Sequence, residues 1–240
     1  LCTIHHIDED KFDKNEFLEF QERDRYVDQY HVISTKTYEQ VKKITTKKIT
    51  KIPFWVNQNL WYSIDDKKLL YSKYNLSSES YHVSSFQRDT EGYDLTSPKL
   101  SKGPDQFFEI VKNLNKEKEN LVVILTGKRR QYIIERLKNE KIDFRYYEMA
   151  TFNELNELYN LTDLYIVSSR YEGGPQSILE CALTKTPIIS TNVGIAKEIL
   201  ADSAIFDMSN YKNAIPNVEI ANRNAKQFLI PEGFQKFNSL

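Results

Sequence analysis

Two glutamates, Glu172 and Glu180, stand eight positions apart and enclose Gly173, Gly174, Pro175, Gln176 and Ser177. Two residues without side chains just before a helix leave its first N–H groups bare, and the helix dipole there favours an anion such as phosphate. A carboxylate one or two turns further in, as Glu180 is, can accept hydrogen bonds from both hydroxyls of a ribose. Glu172, on the loop itself, can reach a second hydroxylated group beyond the phosphates. Two glutamates at this spacing also arise as plain surface charges. The Gly-Gly-Pro between them and the strands on either side point to a ligand instead. That ligand is anionic and rich in hydroxyls: a diphosphate, a ribose and a further sugar, the parts of a nucleotide sugar.

These residues need a scaffold that brings loops together. From about residue 80 the pattern alternates strands, at 82–86, 121–126, 144–149, 164–168, 187–190 and 203–207, with helices, at 104–115, 129–140, 152–161, 175–184 and 195–200. Such alternation predicts an α/β fold with a parallel sheet covered on both faces. Pro104 and Pro175 stand where a first helical residue is expected, and Thr151 to Glu154 reads as a capping box. Gly103, Gly127, Gly173, Gly174 and Gly194 fall at turns next to strand ends, where open α/β sheets bind ligands.

The upstream segment is less regular. Leu1 to Ile4 reads as a buried strand ending in His5 and His6, which suggests a fragment whose N-terminal part is missing. Residues 9–26 carry Phe12, Phe17 and Phe20 at helical spacing, and 30–33 form a short strand. Ser34 or Thr35 caps a helix through Tyr38 and Val41. Ile49 to Val56 is strand-like but interrupted by Pro53.

The string from Glu172 to Glu180, with Ser168 before it and Thr186 to Gly194 after it, resembles the E-x7-E motif of family 4 retaining glycosyltransferases. The resemblance implies a GT-B fold: a Rossmann-like donor domain beside a partial second Rossmann-like domain. It implies that Glu172 contacts the donor sugar and Glu180 the ribose. Ser84 to Arg88 and Lys99 to Pro104 are similar to the family's diphosphate-binding Arg and Lys-Gly; the insert after Asp89 leaves Lys99 and Lys102 as alternatives. Cations there would stabilise the charge left on the diphosphate as the sugar departs. His5, or His6 beside it, corresponds to a histidine facing the sugar. Residues 51–61 resemble the link between domains, with Gln58 and Asn59 where Gly and Asp are common, and 231–240 resemble a terminal helix that crosses back.

The resemblance thus assigns 1–75 to the acceptor-side domain and linker, 76–225 to the donor domain and 226–240 to the crossover helix. It implies sugar transfer of a hexosyl type from a nucleoside-diphosphate sugar to an acceptor that the residues do not identify. An epimerase or hydrolase on the same fold, or a binding remnant without catalysis, are the alternative readings. No cofactor beyond the donor, and no metal, is expected. Asp89 and Glu91 are the nearest acidic candidates and read as loop charges.

Composition sets limits. With 33 Lys plus Arg against 34 Asp plus Glu, the net charge of −1 offers no reason to expect nucleic acid. Two cysteines, Cys2 and Cys181, outline no disulfide framework, and a reducing cytoplasmic setting is the simplest reading. No apolar run approaches the ~20 residues of a membrane span. The lysines Lys42, Lys43, Lys47, Lys48 and Lys51 read as a solvated face, with weak peripheral membrane contact as the second reading.

Overall fold

The computed structural model describes residues 1–240. Strands β1 (Cys2–Ile4), β2 (Gln29–Val32) and β3 (Lys48–Lys51) form a parallel sheet with β2 in the middle. Helices α1 (Lys14–Asp24) and α2 (Thr35–Lys42) connect them. Asp13 caps α1 by accepting from the N–H groups of Asn15 and Glu16, and Ser34 caps α2 by accepting from Thr37. Because Asp13 starts the helix, Phe12 lies outside it and packs edge-on against Phe17.

Two expectations change here. β1 is an edge strand with an exposed Thr3, not a buried one, because it pairs on one side only. β3 stops at Lys51, just ahead of Pro53, which has no N–H for a ladder. Val56 instead bridges to Leu229.

The second sheet holds β4 (Tyr81–Ser85), β5 (Leu121–Thr126), β6 (Asp143–Tyr147), β7 (Leu164–Val167), β8 (Ile188–Thr191) and β9 (Ile205–Phe206). Its order is β6-β5-β4-β7-β8-β9, and every pairing is parallel. Helices α3 (Lys68–Lys73), α4 (Pro104–Glu117), α5 (Gln131–Asn139), α6 (Phe152–Asn160), α7 (Gln176–Thr184), α8 (Ala196–Ile199), α9 (Val218–Ala225) and α10 (Glu232–Gln235) accompany it. Phe107, Ile110 and Val111 of α4 and Ile133 and Leu137 of α5 cover one face, against Val83, Val123 and Leu125. Ile178 and Leu179 of α7, Ile199 and Ala221 cover the other, against Tyr165 and Val167. The near-continuous apolar runs of β5 and β7 follow from this burial on both sides. The sequence pattern misses α3 and α9, and α5 begins later than expected because Arg129 turns at a φ of +64°.

The terminal segment is not one helix. It breaks into short turns around Pro231. Val56 donates to Phe228 O at 2.8 Å, Ile230 donates back to Val56 O at 3.2 Å, and Trp55 meets Phe234 and Phe237 edge-on.

Strand order reverses direction between β4 and β7, which opens a crevice beyond their carboxyl ends. The loops after both strands meet there. Gly103, at a φ of +61°, lets the turn before α4 close onto β7: a Cβ on it would lie 1.8 Å from the Ser168 carbonyl oxygen. Gly103→Ala should therefore destabilise the protein by more than about 2 kcal/mol, adding a steric clash to the left-handed backbone penalty. Denaturant unfolding checks this, and an unchanged midpoint would show that the two loops are free to separate.

Candidate functional site

The two loops at the crevice are joined by side chains. Ser168 Oγ donates to Gly103 O at 2.8 Å, and Gln106 Nε2 donates to Ser168 O at 2.7 Å. Gln87 Nε2 donates to Lys102 O at 2.9 Å, while Ser169 Oγ donates to Gln87 Oε1 at 3.2 Å. Arg170 grips Asp105 with two bonds, of 2.8 and 2.6 Å, in the paired geometry of guanidinium and carboxylate. Its backbone N–H also donates to Ser101 O at 2.8 Å. The result is that Lys102 and Glu172, one from each loop, meet as a largely buried ion pair.

Two more cations join them. Arg88, just beyond β4, is exposed and near Lys99. Burial lowers the Lys99 ammonium pKa, and the positive charges of Arg88 and Lys102 lower it further; Glu91 and Glu172 oppose this. Like charges crowd in this way where a bound anion is to be held. Both alternatives from the sequence, Lys99 and Lys102, therefore lie in the same cluster.

The glycine loop is built differently from the expectation. Pro175 is the cap of α7, with a ψ of 114°, and Gln176 is the first helical residue. A Cβ on Gly173 would lie 2.2 Å from the His5 carbonyl oxygen and 2.8 Å from Ile33 Cδ1. A Cβ on Gly174 would lie 3.3 Å from Ile33 Cδ1, and one on Gly194 2.4 Å from Gly173 O. Gly173 thus lacks a side chain because the strand ends of the first sheet press on it, and not only to bare the helix end. Gly127 turns at a φ of +81° after β5, beside Phe86 at the end of β4, and its carbonyl accepts from the Tyr146 hydroxyl at 3.0 Å.

Glu180 lies on the second turn of α7, in a crevice of about 380 Å³ that it shares with Gln176, Phe54, Trp61 and Phe152. The Tyr159 hydroxyl donates to its Oε2 at 2.6 Å. Removal from water pushes the Glu180 carboxyl up to about 7, against the opposing pull of that hydrogen bond. Ser177 sits beside the Tyr165 hydroxyl, which also accepts from Phe86 N–H at 2.9 Å.

The two histidines have different surroundings. The His5 ring leans on Phe54, 5.6 Å between centroids. His6 is the one that feels Glu172 and Lys102; burial lowers its pKa, Glu172 raises it and Lys102 lowers it. Lys51 is not part of a free lysine face, since it pairs with Glu198 at 3.0 Å.

A profile of the family described as "Glycosyl transferases group 1" matches residues 96–223, more than half of the chain. The chain belongs to this family. No curated protein matches this group 1 glycosyl transferase chain by sequence. Its fold is similar to that of sucrose-phosphate synthase from Thermosynechococcus elongatus, with a TM-score of 0.70 and 15% identity over 98% of the chain. It is also similar to HepE from Anabaena in complex with UDP and glucose, with a TM-score of 0.78, 13% identity and 99% of the chain covered. A glycosyltransferase from Rickettsia africae gives a TM-score of 0.72 at 17% identity over 99% of the chain. The group 1 chain spans 59% of the synthase, 70% of HepE and 68% of the Rickettsia protein. At such identities the likeness establishes the GT-B architecture.

Within this group 1 domain, several residues that join the loops were not singled out from sequence: Gln87, Asp105, Gln106, Ser169 and Arg170, and behind them Arg130. Asp89 is no loop charge; its carboxylate meets Arg130 at 2.9 Å, and both side chains are enclosed. Arg170 and Asp105 had a usable signal, since each directly adjoins a turn already identified.

If Glu180 holds a ribose, its raised pKa has a consequence for pH. An ionised carboxylate accepts from ribose hydroxyls, and this form is gained as pH rises through about 7. Nucleotide affinity should strengthen over that interval, and Glu180→Gln should remove the component due to this group. Calorimetric titration across the interval tests it; parallel profiles for parent and variant would place the ribose elsewhere.

Proposed function

We propose that this chain is the donor-binding portion of a family 4 retaining glycosyltransferase that moves a hexosyl-type sugar from a nucleoside diphosphate to an acceptor. The observation that carries the reading is the meeting of Arg88, Lys99, Lys102 and Glu172 at the point where strand order reverses. Three cations suit a diphosphate. A carboxylate among them suits the hydroxyls of the group attached to it. HepE, which shares the fold, is known in complex with UDP and glucose, and this supports a ligand of the same class.

In this reading Glu180 holds the ribose from the α7 side, and Glu172 orients the sugar. Arg88, Lys99 and Lys102 take up the negative charge that grows on the leaving diphosphate. Fixed cations in a partly desolvated crevice stabilise that charge without reorganising during the reaction. His6 faces the same space from the first sheet. Gly173, Gly174 and Pro175 set the turn that presents Gln176 and Ser177 at the start of α7. Completion of the acceptor side belongs to the transfer step.

Glu172→Ala separates sugar from nucleotide. In the free protein the Glu172 carboxylate occupies the Lys102 ammonium, so its removal frees a cation for phosphate. Affinity for a nucleoside diphosphate should stay level or rise, while affinity for the intact nucleotide sugar falls. Turnover should fall further still, because orientation matters most as the bond breaks. Calorimetry with both ligands and a transfer assay measure this; equal losses for both ligands would make Glu172 a support of the loop.

Donor binding should also be independent of divalent cations, since Arg88, Lys99 and Lys102 meet the diphosphate charge. Titration with and without a chelator checks this. A collapse in affinity that magnesium or manganese restores would overturn the assignment.

A further inference from the structure

Arg130 is the largest fully enclosed side chain of the protein, and the proposed function gives it no role. A guanidinium removed from water is costly unless its charge and its N–H groups are all met. Its Nε donates to Asp89 Oδ2 at 2.9 Å, and Nη1 donates to Ser85 O at 2.6 Å and Thr126 O at 3.1 Å. Those two carbonyls end β4 and β5. Arg130 therefore ties the carboxyl ends of two neighbouring strands to the start of the loop that carries the cations.

Asp89 transmits this anchorage. Its backbone N–H donates to Arg129 O at 2.9 Å, and its carbonyl accepts from Lys99 N–H at 2.8 Å. Lys102 N–H in turn donates to Lys99 O at 2.9 Å. Arg88 precedes Asp89 directly. All three cations are thus linked to Asp89 by one covalent step or by one or two backbone bonds. The intervening residues 91–97 are exposed, and Arg129 donates to the Gly92 carbonyl among them. For stability alone, well-packed apolar residues commonly serve as well as a buried ion pair. What an apolar pair would not supply is the directed bond from Arg130 to the Asp89 side chain, which sets the Asp89 backbone in one place.

We infer that the buried Asp89–Arg130 pair is a positioning device that holds Arg88, Lys99 and Lys102 in register for the donor diphosphate. It rests on the function proposed above. Neither residue touches the ligand; both act through the cation loop. Their effect should therefore fall chiefly on the second phosphate of the diphosphate, which a monophosphate lacks, and not on the ribose that Glu180 is proposed to hold.

The test compares Asp89→Asn, Arg130→Lys and, as a control for general destabilisation, Leu137→Ala in the core under α5. UDP, GDP and ADP are titrated into the parent. The tightest of them and its monophosphate are then titrated into each variant, with melting temperatures recorded. Positioning predicts about a tenfold or greater loss of diphosphate affinity in Asp89→Asn and Arg130→Lys, and less than about threefold for the monophosphate. Leu137→Ala should lower the melting temperature while keeping the diphosphate-to-monophosphate ratio of the parent. A ratio unchanged in both pair variants, or failure of both to give a cooperative melt, assigns the pair to folding alone and overturns the inference. If the parent binds none of the three diphosphates, the proposed function itself fails, and this inference with it.

Discussion

The contact on which the site depends is the approach of the Gly103 turn to the Ser168 carbonyl. No side chain fits between them, since a Cβ would lie 1.8 Å from that oxygen. Because the two backbones touch, side chains beside them can meet: Lys102 directly precedes Gly103, and Glu172 follows Ser168 by four residues. The bonds from Ser168, Gln106 and the Arg170–Asp105 pair then hold the loops at that separation. A parallel sheet provides the crevice; this contact determines what stands in it.

Electrostatics in the crevice are unbalanced on purpose of geometry alone: three cations converge, and one carboxylate is paired with one of them. The Lys99 ammonium is less easily charged than usual because it is partly withdrawn from water and, next, because Arg88 and Lys102 are close. An arriving anion relieves this repulsion. On the α7 side, Glu180 is likewise held against its preference, by loss of water. Both strains arise from burial of charge, and the ligand proposed above, with phosphates at one end and hydroxyls at the other, would relieve both.

The two sheets are locked together close to the same place. Glu198 accepts from the Thr35 N–H at the start of α2 at 2.7 Å, and it also pairs with Lys51. A carboxylate at a helix N-terminus is favoured by the helix dipole. The His5 carbonyl rests on Gly173, and the terminal segment closes the far side through Val56 and Trp55. Position of the first sheet therefore bears directly on the glycine loop, which explains why His6 reaches the surroundings of Glu172 at all.

The sequence by itself determined the α/β class, the six strands of the second sheet to within a few residues, and the segment from Glu172 to Glu180, because these rest on local periodicity, on Pro and Gly and on capping groups. The resemblance added Arg88 and the two lysines. Tertiary structure alone decided that Lys99 and Lys102 lie together, that His6 lies close to Glu172 while the His5 ring rests on Phe54, and that Asp89 is enclosed with Arg130, 41 residues along the chain. Those outcomes depend on which loops a parallel sheet brings side by side. A charged residue that will be buried looks the same in sequence as one that stays in water, because its partner comes from another strand end and is set by strand order, not by spacing.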